Sequence, residues 1–143
     1  MNSNTATCPV CQSPIHNESG QSLRTSKNIL ACLDHFRDKR QEFLVCLSID
    51  SGQRLIARRV VTIGTQDSAL AHPREIFAAP LADRAASVII AHNHPSGDAT
   101  PSKKDIELTQ QLVAAGIILG IPLRDHYIVA ASRHFSFRSH HLI

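Results

Sequence analysis

With 143 residues the chain has room for one domain of ordinary size and a short extension, and excludes a second full domain. Its 43 % hydrophobic and 19 % charged residues exclude disorder over the whole chain, and with five Phe, one Tyr and no Trp the core must be aliphatic. Fifteen Lys and Arg against twelve Asp and Glu leave a formal charge of +3, short of the dense basic stripe of a dedicated nucleic-acid binder.

The longest apolar stretches, residues 85–91 and 117–123, fall far below the roughly 20 residues needed to cross a bilayer. The polar start, residues 1–7, has no signal-peptide character, so the expected compartment is the cytoplasm. Cys8, Cys11, Cys32 and Cys46 are too few and too irregularly spaced for a secreted disulfide framework and are expected to be reduced.

Residues 1–28 are rich in Asn, Ser, Thr and Gln and read as a polar extension; apolar periodicity begins at residue 29. Ile29, Leu30, Leu33 and Phe36 recur at helical spacing behind Ser26 as N-cap, and the basic residues 37–40 suit the helix C-terminus. Residues 42–50 are apolar at nearly every position, as in a strand covered on both faces, and Asp50-Ser51-Gly52 turns the chain into a second strand over 55–63. Pro73 occupies a first helical position, with Pro80 expected to kink or shorten that helix. A buried strand over 87–91 then delivers His92 and His94, and a loop with Pro95, Gly97 and Pro101 leads into a helix over 103–115 that Gly116 terminates. Short strands over 121–123 and 127–131 close the domain, with Phe135 and Phe137 adding an edge. This order describes an α/β domain with a mixed sheet and helices packed on it.

The chemistry concentrates in His92-Asn93-His94-Pro95-Ser96-Gly97, followed by Ser102-Lys103-Lys104-Asp105. Because strand side chains alternate, His92 and His94 point the same way if the strand runs through them. Ten residues separate His94 from Asp105, which starts the next helix close enough to fold back over the strand end. Two imidazoles and a carboxylate with an open fourth position make a catalytic rather than a structural zinc site. Ser102 and Asp105 also fit a helix-capping box, so Ser102 serves as a cap and as a hydroxyl near the site.

These residues resemble the JAMM metalloproteases of the MPN fold, whose pattern is an upstream Glu, then His-x-His-Pro, then Ser-x-x-Asp. Within them the chain is most similar to the RadC family, through His72-Pro73-Arg74-Glu75-Ile76-Phe77, the His92 to Gly97 segment, Asp105-Ile106-Glu107-Leu108-Thr109 and Asp125-His126-Tyr127-Ile128-Val129. The resemblance implies a cytidine-deaminase-like α/β fold over residues 29–143 and a catalytic Zn²⁺ on His92, His94 and Asp105. It also implies a general base on the first strand. Glu42 in Gln41-Glu42-Phe43-Leu44 matches that position, whereas the rival Glu75 is explained by the dipole of the helix it starts. The activity implied is hydrolysis of an amide or isopeptide bond in a peptide or protein substrate, with Glu42 moving the proton and Ser102 supporting the oxyanion. His126 reads as a partner of the ligands rather than a fourth one, and His72, His134, His140 and His141 as surface residues, the last two in a frayed C-terminus.

RadC proteins commonly carry a helix-hairpin-helix segment ahead of this domain. Only about 28 residues precede it here, so that DNA-binding appendage is expected to be absent. Cys8-Pro9-Val10-Cys11 stands in its place as half of a structural zinc knuckle, with His16, Cys32 and His35 as completing ligands; two free thiols in a flexible tail are the commoner outcome. A nucleobase deaminase needs His-x-Glu and a downstream Pro-Cys-x-x-Cys, both missing. An Fe(II) oxygenase uses the same ligand types, but Glu42 as base and the short gap from His94 to Asp105 favour hydrolysis. A metal-free scaffold is disfavoured by the intact ligands. The alternative from another class is a DNA-repair or recombination accessory that associates weakly with nucleic acid through Arg37, Lys39, Arg40, Arg58-Arg59 and Lys103-Lys104.

Overall fold

The computed structural model describes the backbone of residues 6–7 and 14–15, and residues 19–64 and 71–143 throughout. Ala6–Thr7 (β1) pairs antiparallel with Pro14–Ile15 (β2). The main domain holds α1 (Ser26–Leu33), a 3₁₀ turn (Asp34–Phe36), β3 (Glu42–Ile49), β4 (Leu55–Gly64), α2 (Pro73–Asp83), β5 (Ser87–Asn93), α3 (Lys103–Leu119), β6 (Leu123–Val129) and β7 (His134–Ser136). Its five strands form one mixed sheet in the order β4-β3-β5-β6-β7. The β5–β6 pair alone is parallel, which requires a crossover, and α3 supplies it. No helix of the described residues is long and apolar enough to cross a membrane.

β3 is buried from Phe43 to Ile49 because helices cover both faces of the sheet. On one face Phe43, Val45, Leu47, Ile89, Tyr127 and Val129 pack with Ile29, Leu33 and Phe36 of the first helical segment. On the other, Leu44, Cys46, Val88 and Ile90 meet Ile76 and Phe77 of α2 and Leu112 of α3. The near-continuous apolar run read in the sequence is this two-sided burial.

Several boundaries differ from expectation. Packing starts before residue 29: Leu23 is fully buried, and the backbone of Gly20, Gln21 and Leu23 bonds to the β3–β4 turn. The cap of α1 is Thr25, whose Oγ1 accepts the Asn28 N–H at 3.2 Å, and Ser26 is already helical. α2 runs through Pro80 to Asp83, with the proline ring buried. α3 does not stop at Gly116 but at Gly120, a left-handed cap at φ 72°. Gly116 serves packing instead, since a Cβ there would lie 2.7 Å from the Ile121 carbonyl. The two strands expected over 121–131 are one, β6, and the edge is β7. His140 and His141 are tied down rather than frayed: His140 stacks on Phe135 at 4.0 Å, its Nδ1 donating to the Ser136 carbonyl, and the His141 N–H bonds to the Arg138 carbonyl.

Candidate metal centre

The site lies at the carboxyl end of β5. That strand continues two residues past the expected end, so His92 is in the sheet and His94 just beyond it. Leu44 of β3 lies opposite His92, and Glu42, two residues earlier on the same face, opens β3 beside the histidines. Asp105 reaches the same point from the first turn of α3, held by a capping box: the Ser102 N–H donates to Asp105 Oδ2 at 2.8 Å, and the Asp105 N–H to Ser102 Oγ at 3.1 Å. Four predicted residues from three elements therefore converge, and Ser102 fixes the fourth from below.

His92 and Asp105 are buried, with Glu42 and His94 partly open to solvent. His92 Nε2 is 2.9 Å from His94 Nε2 and 3.2 Å from Asp105 Oδ1, and His94 Nε2 is 3.4 Å from Asp105 Oδ2. Bonds of about 2.0–2.1 Å to a tetrahedral Zn²⁺ set neighbouring ligand atoms about 3.3 Å apart, so this donor set fits such an ion. Glu42, His92 and His94 also form a group that could hold a metal ion, their ligand atoms all within 4.8 Å of one another. Glu42 Oε1 stands 3.9 Å from His92 Nε2, longer than a tetrahedral edge.

Hydrogen bonds behind the site decide which nitrogens carry protons. Thr109 Oγ1 donates to the Asp105 carbonyl at 2.7 Å and must therefore accept from His126 Nδ1–H, 2.6 Å away. His126 is fully buried and neutral: desolvation first, then the neighbouring His92, pushes its pKa well below the ordinary value. Its Nε2 lone pair accepts from His92 Nδ1–H at 2.8 Å, which leaves His92 Nε2 as a lone pair facing the site. His94 Nδ1 donates to the Asp98 carbonyl at 2.8 Å, so the Nε2 of neutral His94 is a lone pair as well. Two lone pairs 2.9 Å apart repel unless a cation or a proton lies between them. The hydrogen bond to Asp105 accordingly raises the His94 pKa. Burial pushes the Asp105 carboxyl up, but the two imidazoles facing it, His92 first and then His94, outweigh that whenever they carry a proton on Nε2 and hold it well below the usual carboxylate range.

Asn93 is the residue that sequence reasoning passed over. Fully buried between the two histidines, it accepts the Phe43 N–H on Oδ1 at 2.7 Å and donates from Nδ2 to the carbonyls of Gln41 (2.8 Å) and Lys39 (3.3 Å). Both neighbours of Glu42 are thus pinned to the strand that carries the histidines. Thr109 was also missed, although its place four residues after Asp105 on α3 puts it on the same helix face. Glu75 is exposed beside Arg74 at the start of α2 and takes no part in the group. His72 caps α2 through Nδ1, accepting the Arg74 N–H. Cys8, Cys11 and His16 lie outside the described residues; Cys32 is buried on the inner face of α1, its thiol 3.3 Å from Gln21 Oε1.

The family model of the RadC-like JAB domain matches residues 23–142. Similar curated proteins, each called a UPF0758 protein, include one from Desulforamulus reducens, 41 % identical over 78 % of this chain and 49 % of its own length. One from Clostridium perfringens is 44 % identical over 74 % of this chain and 47 % of its own, and one from Trichodesmium erythraeum is 50 % identical over 68 % and 40 %. The chain thus spans about half the length of the curated relatives it matches. The sheet order, the His-x-His strand end, the capped Asp and the match across nearly the whole described domain all agree, and the chain belongs to the RadC-like JAB domain family.

Proposed function

We propose that this chain is a metal-dependent hydrolase that cleaves an amide or isopeptide bond in a peptide or protein. The observation that carries the reading is the pair of imidazole lone pairs held 2.9 Å apart beside a buried carboxylate, a donor set that wants a cation. His92, His94 and Asp105 would hold it, and Zn²⁺ suits two nitrogens and one oxygen. A zinc ion there supplies Lewis acidity and a water acidic enough to ionise near neutral pH.

The chain's own residues supply the remaining steps. Glu42 accepts a proton from the attacking water and returns it to the leaving amine nitrogen, the task of a carboxylate placed beside the ligands rather than among them. Ser102 Oγ accepts the Asp105 N–H, so its own O–H is free to donate to the carbonyl oxygen as negative charge develops there. Asn93 holds the backbone on either side of Glu42, fixing where that carboxylate stands.

The test pairs metal content with turnover. Elemental mass spectrometry of the purified protein is expected to find about one Zn per chain, lost in the His92→Ala, His94→Ala variant. Glu42→Gln is expected to keep the metal and lose about 10²–10⁴-fold in cleavage on a peptide and isopeptide panel. Metal retained by the double variant would overturn the ligand assignment, and full activity of Glu42→Gln would overturn the base.

A further inference from the structure

On the face of the sheet opposite His92, toward the start of β6, an open cavity of about 480 Å³ is walled partly by Ile89 and Tyr127. Three arginines line it: Arg24 ahead of α1, Arg124 in β6 and Arg138 beyond β7. Among the described residues none of the three has a carboxylate at ion-pair distance. The acidic residue of the wall, Asp125, is already engaged. Its Oδ1 accepts the N–H groups of His126 (2.7 Å) and Arg138 (3.0 Å), and its Oδ2 accepts the Ser136 hydroxyl (2.6 Å).

Arg124 is at the cavity because of a β-bulge. Val88 pairs with Leu123 and Ile89 with Asp125, so Arg124 is the extra residue of β6. Bulges are rare in parallel pairs and re-aim a side chain. The re-aimed guanidinium donates from Nη2 to the Leu23 carbonyl at 3.3 Å, while its Nη1 is buried without an acceptor among the described residues. A buried charged N–H left without an acceptor is costly, and a bound anion removes that cost. Arg138 Nη1 in turn donates to the Arg124 carbonyl at 3.2 Å. Two of the three arginines are thus braced on backbone oxygens without being neutralised. α1 opens at Ser26 on the same wall, adding the positive end of a helix. Ser26 Oγ accepts from the Tyr127 hydroxyl, so its own O–H remains to donate.

We propose that this cavity binds a phosphate monoester, with the phosphate on the three arginines and a hydroxyl-bearing remainder against Ser26, Gln53 and Ser139. Three guanidiniums against one engaged carboxylate match a dianion, and their planar forks match phosphate oxygens. The volume exceeds that of bare phosphate and falls in the range of about 300–1,000 Å³ usual for small-molecule sites. The site does not depend on the metal centre, which occupies the other face of the sheet.

Calorimetric titration of the full chain with ribose 5-phosphate tests the assignment, with ribose as the control. Saturable binding of the phosphate ester and none of ribose is expected, weakened about tenfold or more by Arg24→Glu. Arg24 is exposed, so that variant leaves the packed core untouched. Binding must also survive in the His92→Ala, His94→Ala variant, which separates this site from a phosphate bound at the metal centre. No saturation up to about 10 mM, binding indifferent to Arg24→Glu, or binding lost with the histidines would overturn the proposal. A single-stranded oligonucleotide with and without a 5′-phosphate then distinguishes the carrier. Tighter binding of the phosphorylated strand supports the site with a nucleic-acid terminus as its ligand, and equal binding supports it with a free sugar phosphate.

Discussion

Thr109 does more for the candidate metal centre than its place on a helix suggests. Its hydroxyl has one proton, committed to the Asp105 carbonyl, and that commitment passes through His126 to determine which nitrogen of His92 carries a proton. Thr109→Val removes the hydroxyl and leaves His126 Nδ1–H without its acceptor, so the opposite tautomer competes and points an N–H at His92. Metal affinity is expected to fall about 10–100-fold in competition with a chromophoric chelator, and Thr109→Ser to restore it. An affinity unchanged in Thr109→Val would show that the tautomer is set elsewhere. At this scale His92, His94 and Asp105 were legible because they sit within one short stretch whose spacing carries their geometry. The proton order behind them was not. It depends on His126 arriving from β6, on a backbone carbonyl at Asp98 and on the register of β3 against β5, none of which local spacing encodes.

The elements were legible wherever burial alone determined them. The β3–β4 hairpin came directly from its apolar run and turn residues. α3 was misread because Gly116 carries two meanings, a helix stop and a close approach, and only the tertiary fold selects between them. Replacing Gly by Ala in a helix interior ordinarily stabilises it by about 1 kcal/mol. Gly116→Ala is expected to destabilise by about 1–3 kcal/mol instead, read by chemical denaturation, because the new Cβ meets the Ile121 carbonyl. Pro80 was overestimated for a related reason: burial of its ring among the α2 contacts holds the helix through it. A second device links elements at that corner. Arg59 on β4 grips Asp83 at the end of α2 with both guanidinium nitrogens, and this hydrogen bonding holds the Asp83 carboxyl below its ordinary value. A depressed folded-state pKa contributes stability above the unfolded value of about 3.9 and loses it as pH falls through the folded value. Asp83→Asn is therefore expected to cost about 1 kcal/mol at neutral pH, a modest figure because Arg59 is partly solvent-screened. The gap should close in acid, and a gap independent of pH would mean that the charge contributes nothing.

For the whole molecule, the sheet separates the candidate metal centre from the arginine cavity. One face near the carboxyl end of β5 carries the histidines and Asp105; the other, toward the start of β6, carries the arginine cavity. The sequence announced the first and concealed the second. Arg24, Arg124 and Arg138 are far apart along the chain and fall in no motif, and a bulge that depends on strand pairing brings Arg124 to the cavity. Charge totals point the same way, since +3 overall says nothing of three arginines gathered in one place with no ion-pair partner among the described residues.

The pairing of Leu44 with His92 across a long stretch of intervening chain also has a kinetic meaning. Such non-local strand contacts form slowly and late, and Glu42 and Asp105 cannot join the histidines until β3 and α3 have docked on β5. Of this donor set an unfolded chain offers a cation only the local His92 and His94, so capture at this centre follows folding instead of nucleating it. Zinc added during refolding is expected to leave the folding rate nearly unchanged and to slow unfolding about tenfold for each 1.4 kcal/mol of binding. Stopped-flow measurements of both limbs check this, and a folding limb accelerated by zinc would place the centre in the transition state. The ion would then act on this domain as a latch that closes last, setting how long the folded molecule survives rather than how fast it appears.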